Sequence, residues 1–314
     1  MGAPVSAPRA LLVVVALLAV ACGGSAVATV DHPVRVPTRD VAASRPATPA
    51  AAAAARPYTP SPDEYVPTHP ARLAATLATT TAALRDAIEA WTRDGNPSKG
   101  QAPLRVQLLA LYQQRIYGYL ASHRARVRPT LAAAPRWLRG GARANVAAGR
   151  AILSLAGHTT RRVRVRVGLP KPAGLLLRYN RAAQRRFHVS WAVLAAINYV
   201  ESKFGRVRSA SGAGAQGPMQ FIPSTWQAYG MGGDVHDPRD AIMGAANYLH
   251  ASGAPRSYGN AVYAYNPSWA YVRAVLLYAK QMHRDVRAFY EYYDWQVFVR
   301  TPSGVKRLTG PGLR

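Results

Sequence analysis

Apolar residues at helical spacing recur through most of this chain beyond residue 70, and that periodicity limits the fold to packed helices. Leu73, Leu77, Leu84, Ile88 and Trp91 follow one another at intervals of three, four and seven, and Asp94-Gly95-Asn96-Pro97 closes the run. Leu104, Leu108, Leu111, Tyr112 and Tyr119 repeat the pattern. Further on, Ser190 stands as an N-cap before Val193, Ala196, Ile197 and Val200 on one face, with Phe204-Gly205 as the stop. Asp237-Pro238 opens another helix with an acidic cap, proline at its first position and Asp240 near its third. A last helical run, NAVYAYNPSWAYVRAVLLYAKQM, is broken at Tyr265 and Asn266 just before Pro267. Only RRVRVRVGLP, Arg161 to Pro170, alternates with period two, which predicts an extended segment with one apolar and one basic face. The expected fold class is mainly α.

The 314 residues, 49% hydrophobic, suffice for a sizeable core. Arg9 precedes the apolar run ALLVVVALLAVA and small residues follow, the pattern of a signal peptide over residues 1–28. A run of about a dozen falls short of the roughly 20 residues a spanning helix needs. AVAC, ending at Cys22, resembles a lipobox with Ala19 where leucine is usual, whereas AVA ending at Ala28 suits ordinary cleavage, and both routes stay open. Cys22 is the only cysteine, so no intramolecular disulfide forms; it is either lipidated or lost with the leader. Residues 29–70, rich in Ala, Pro and Thr, read as a disordered tether. A helical accessory region is expected over 71–170, the informative region over 171–285, and an aromatic, strand-like tail over 286–314 that either covers the core or binds glycan. The expected location is the cell envelope, outside the cytoplasm.

Forty Lys and Arg against fourteen Asp and Glu leave a net charge of +26, which predicts attraction to a polyanion. An anionic envelope and nucleic acid both qualify. No recognised nucleic-acid reader module is present, so nucleic acid is not expected as a partner. The histidines, His188, His236 and His250 among them, lack ligand-like spacing, and MGGDVHDP offers too few oxygen ligands in series for a calcium loop. Neither a metal nor another cofactor is expected.

Glu201 is the carboxylate of interest, because it falls in the last turn of its helix. There it faces the negative end of the helix dipole among apolar neighbours, and both effects raise its pKa. A proton held at working pH is what a general acid needs. The competing reading is a solvent-facing glutamate balanced by Lys203 or Arg206. Behind it, SASGAGAQGPMQF is too glycine-rich for a helix, and such glycines let backbone approach a ligand.

Four pieces in order then carry a resemblance: Glu201-Ser202, GAQGPMQFIPSTW from Gly214, DPRDAIMGAANYL from Asp237, and AYN from Ala264. Over roughly residues 175–282 the chain resembles the peptidoglycan lytic transglycosylases with the goose-lysozyme-like helical fold, and within them the membrane-bound type B branch. The resemblance implies that Glu201 is the single catalytic acid and base. It places Ser202, Ser211, Gln220, Tyr265 and Asn266 about the glycan or that carboxyl, with Met219 and Tyr248 in the cleft wall. Core packing is the alternative for Met219 and Tyr248, and a hydrogen bond to the helix end for Ser202. It also implies cleavage between N-acetylmuramic acid and N-acetylglucosamine with a 1,6-anhydromuramoyl product, by a monomer whose partners are peptidoglycan strands and anionic envelope polymers. The alternatives are a muramidase using water and a second carboxylate, for which Asp234 is the candidate, and a non-catalytic basic protein that binds wall or nucleic acid.

Overall fold

The structure, a computed structural model, describes residues 57–155, 165–301 and 304–313. The expected signal peptide, Cys22, residues 29–56 of the tether and Arg161 to Arg164 lie outside the described residues. The chain is mainly helical: α1 (Pro70–Asp94), α2 (Leu104–Ser122), α3 (Arg124–Ala133), α4 (Arg136–Leu155), α5 (Ala173–Phe187), α6 (Trp191–Ser202), α7 (Pro223–Tyr229), α8 (Pro238–Ala251), α9 (Tyr258–Tyr265), α10 (Trp269–Arg284) and α11 (Arg287–Tyr293). A two-stranded antiparallel sheet follows, β1 (Phe298–Thr301) and β2 (Gly304–Arg307), with Phe298 opposite Arg307. Among the described residues, no helix is long and apolar enough to cross a membrane.

The stripe Leu73, Leu77, Leu84, Ile88 and Trp91 is buried along α1, which ends where the Gly95 N–H reaches Trp91 O. In α2, Leu108, Leu111, Tyr112 and Tyr119 are buried, but Leu104, at its first position, is exposed. The α6 helix departs more from its amphipathic reading, because Ala192 to Val200 are all buried. It is the central helix, packed by α5, α8, α10 and α11, and a helix surrounded by others needs no polar face.

One hydrophobic core runs from Val66 and Leu73 through α2, α4, α6 and α10 to Trp295, so the accessory and informative regions are joined rather than separate. The contact of α4 with α10 is the broadest seam between them. Polar ties reinforce it: Tyr292 OH donates to Asn145 Oδ1 at 2.6 Å, Trp295 Nε1 to Gln113 Oε1 at 3.2 Å, and Gln114 and Gln296 exchange two bonds. The tail, strand-like by its aromatic content, is helical over Arg287–Tyr293, and Phe289, Tyr292, Tyr293 and Trp295 are core residues. Tertiary burial overrides the β-propensity of aromatic residues here. Tyr199 of α6 meets the rings of Tyr278 at 4.9 Å and Tyr292 at 5.5 Å, and such pairs add about 0.5–1.5 kcal/mol each beyond area burial.

One further expectation is corrected. Residues 57–69, read as tether, lie along α2: Arg115 Nη1 donates to Glu64 O at 2.6 Å, Tyr112 OH donates to Tyr65 O, and Val66 is buried. The described part of the alternating Val-Arg segment is extended as expected: Val167 bridges Val207, the Gly168 N–H donates to Arg206 O and Arg166 O accepts from the Arg208 N–H.

Candidate functional site

The site is built on the end of α6. Ser190 is its N-cap residue but makes no side-chain cap bond; Gln184 Oε1 instead accepts from the Trp191 N–H at 2.7 Å. At the other end the chain turns through three left-handed residues, Lys203, Phe204 and Gly205, and the Lys203 and Phe204 N–H groups close on Tyr199 O and Asn198 O. This reversal leaves Glu201 in the last turn, as its position relative to Phe204-Gly205 predicts.

The glycine-rich turn is docked onto that helix end by two α6 side chains. Ser202 Oγ donates to Pro218 O at 2.6 Å and accepts from the Gly205 N–H at 2.7 Å, while Asn198 Nδ2 donates to the same carbonyl at 2.8 Å. Gly217 is required by crowding, since a Cβ there would stand 1.9 Å from Val235 O. Gln216 and Phe221 exchange backbone bonds at 2.9 Å across the turn. Beyond it, Tyr265 OH donates to Met219 O at 2.7 Å and fixes α9 against the same segment.

Glu201 is partly buried, and its Oε1 accepts a hydrogen bond from Tyr271 OH at 2.6 Å. Burial raises its pKa to about 7, against the opposing pull of that hydroxyl. Those are the two influences on it, and among the described residues it has no ion pair. Lys203, the expected counter-charge, is buried with its Nζ 3.6 Å from the Tyr199 ring centroid, and burial pushes its pKa well down. Arg206 lies over the Tyr293 ring instead. Burial also raises Tyr265 and Tyr271 well above the ordinary phenol value, with the nearby Glu201 charge adding to both.

The other expected residues divide. Tyr265 and Asn266 stand at the end of α9, Tyr265 near enough to feel the Glu201 charge, and Asn266 Nδ2 is buried with no partner among the described residues. Gln220 is partly exposed in a left-handed conformation and donates to Gly217 O at 2.9 Å. Ser211 is partly exposed, its Oγ accepting the Ala213 and Ala215 N–H groups, so it orders the turn. Tyr248 OH donates to Ala264 O at 2.8 Å, and its ring meets those of Tyr229 at 4.7 Å and Tyr265 at 5.7 Å. Met219 and Ser202 are fully buried, and each sits as its alternative reading has it: Met219 in the core, Ser202 bonded at the helix end. Asp237 is the N-cap of α8, accepting from the Arg239 and Asp240 N–H groups. Asp234 is exposed, with Oδ1 accepting from the His236 N–H at 2.8 Å.

Tyr271 is the functional side chain that sequence reasoning missed. It sits two residues into α10, and its partner is 70 positions away. The signal available was a tyrosine one turn past the Asn266 break, beside the exposed Trp269. Among the described residues, no group of three or more His, Cys, Asp or Glu is placed to hold a metal ion.

Residues 178–285 match the family model described as Transglycosylase SLT domain. The match includes Glu201, Tyr271 and the turn between them. No curated protein and no solved structure gives a significant match to the chain.

Proposed function

We propose that this protein is a lytic transglycosylase that cleaves peptidoglycan between N-acetylmuramic acid and N-acetylglucosamine and leaves a 1,6-anhydromuramoyl end. The observation that carries the reading is the setting of Glu201: a carboxyl held near pKa 7 by burial, bonded to the Tyr271 hydroxyl and, among the described residues, hydrogen-bonded or ion-paired to no other charged side chain. A hydrolase that pairs an acid with a base or nucleophile keeps its two carboxyls about 5–9.5 Å apart, close enough for each to act on the other's titration. Here one group does both tasks.

Protonated Glu201 gives its proton to the glycosidic oxygen as the C1–O bond breaks, and the N-acetyl oxygen of the muramic residue attacks C1 from the other face. Glu201, now a carboxylate, takes the proton from the muramic 6-hydroxyl, whose oxygen closes on C1 and displaces the N-acetyl oxygen. The carboxyl ends as it began. Tyr271 holds it in place through the 2.6 Å bond and stabilises its charged form between the two steps. The resemblance places Asn266 at the glycan, and its Nδ2, buried with no partner among the described residues, is the donor it would offer.

The route to the wall is a further part of the reading. The leader-like run before Cys22 supports export, the lipobox-like AVAC supports a lipid anchor, and the motif set supports the type B branch and a monomer. Mass spectrometry of the soluble fragments from intact peptidoglycan tests the chemistry. Products ending in 1,6-anhydromuramic acid are expected; free reducing ends would make water the nucleophile and overturn the single-carboxylate mechanism.

A further inference from the structure

Between Asp94 and Glu201 the sequence has no acidic residue, while nineteen Lys and Arg fall in the same interval. Part of that charge is organised by α4. Arg136, Arg143 and Arg150 project from one face of it, and Gly140 lies between the first two with nothing within 4 Å of where a side chain would begin. Among the described residues none of these three arginines has a hydrogen bond or an ion pair. Arg139, in contrast, is used within the fold, donating to Ala132 O and Ala134 O at the end of α3. Successive members of the stripe stand two turns apart, about 10.5 Å along the axis, so the three side chains fall on one side of the helix. At its start Trp137 is 49% exposed, with the Arg85 guanidinium 5.4 Å from its ring centroid.

At its Arg136 end this face is remote from the cleft. Gly141 faces the Gln281 side chain near the C-terminal end of α10, whereas Tyr271 meets Glu201 near the N-terminal end. Ten residues of helix, about 15 Å, separate those two points.

We propose that the arginine face of α4, with Trp137 at its head, is a second binding surface for the substrate polymer, which grips stem-peptide carboxylates of a peptidoglycan strand outside the cleft. The proposal rests on the peptidoglycan reading above. Arginine is suited to it because its planar fork binds a carboxylate through two parallel bonds, and the exposed indole offers a flat apolar face to a sugar ring. The stripe from Arg136 to Arg150 is about 21 Å long, the shape for a linear polyanion rather than a single small anion. Retention by this surface keeps the enzyme on the wall between cleavage events.

The test measures binding of the full-length Glu201→Gln protein, which leaves the polymer uncut, to purified peptidoglycan and to the same material with its stem carboxylates amidated. In that background the triple variant R136Q/R143Q/R150Q is expected to bind free-carboxylate peptidoglycan about tenfold more weakly at ~0.1 M salt, from three exposed charge contacts. Amidation should weaken the parent to a similar degree and remove the difference between the two proteins. With Glu201 restored, the triple variant should cleave short soluble glycan fragments like wild type, which also shows that it folds. Equal binding by parent and triple variant overturns the proposal. So does a parent that holds duplex DNA, anionic vesicles or a phosphate-bearing polymer as tightly as peptidoglycan. If wild type fails to cleave while the triple variant still loses retention, the catalytic reading falls and the surface stands.

Discussion

Glu201 and Glu291 sit on helices of one body, and burial raises both to about pKa 7, yet their surroundings share little else. Glu201 meets one hydroxyl and keeps part of its side chain accessible. Glu291, on α11, is 4% exposed in the seam with α1 and α2, with Arg85 Nε at 3.6 Å and Gln113 Nε2 at 3.5 Å. Burial outweighs the Arg85 charge there and keeps the carboxyl protonated to neutral pH. A raised pKa is therefore common to a carboxyl packed in the core and to the one proposed for the chemistry. What separates them is access: Glu201 is partly exposed beside the Tyr271 hydroxyl, and Glu291 adjoins only packed side chains.

The sharpest way to break this comparison is to remove each acid in turn. Glu201→Gln should lower turnover on peptidoglycan by about 10²–10⁴, the usual worth of a general acid-base group, while Glu291→Gln leaves it near wild type. Comparable losses would erase the distinction.

The next effect is on stability. Glu201, Glu291 and Asp294 all hold protons to about pH 7 in the folded state, against ordinary values of 4.5, 4.5 and 3.8. Unfolding releases those protons, so raising the pH through roughly 4.5 to 7 favours the unfolded chain and stability falls. In Glu291→Gln that fall should be shallower by about 1.4 kcal/mol per pH unit, read from denaturant titrations at pH 5, 6 and 7. An unchanged slope would show that Glu291 is ionised in its ion pair with Arg85.

A smaller change is expected at Tyr271. The hydroxyl lowers the Glu201 pKa, so in Tyr271→Phe the alkaline limb of the rate profile should move to higher pH, with turnover reduced by about tenfold for one charge-assisted bond. A lower rate with an unmoved limb would make Tyr271 merely structural. Asn266→Ala should act least, raising KM about two- to tenfold with little change in kcat, as loss of one neutral donor to the sugar predicts.

The parts of this picture legible in the sequence are those written locally. The α1 stripe, the Asp237 cap and the place of Glu201 before Phe204-Gly205 follow from spacing and end signals within a few residues. The contact of Tyr271 with Glu201 does not, because it joins α10 to α6. Ser202 kept two readings for a related reason: a hydroxyl beside Glu201 looks available until Pro218 O and the Gly205 N–H are found occupying it. The tail shows the same limit, since aromatic residues read as strand until the surface they cover is known. Residues 57–69 carry no apolar period and so resemble tether, but Val66 and two backbone carbonyls hold them to α2.

The continuous core has a consequence for any attempt to transplant the activity. The face of α10 that bears Val275 and Tyr278 is roofed by α4, and the aromatic cluster behind Tyr199 is completed by Tyr292 and Trp295 from the far end of the chain. A fragment cut at residues 171–285 would carry every group assigned to the chemistry and still expose that interior to water. The smallest portable enzyme runs from about residue 57 through the C-terminal hairpin, and a chimera that inherits only the middle inherits the reagents without the vessel.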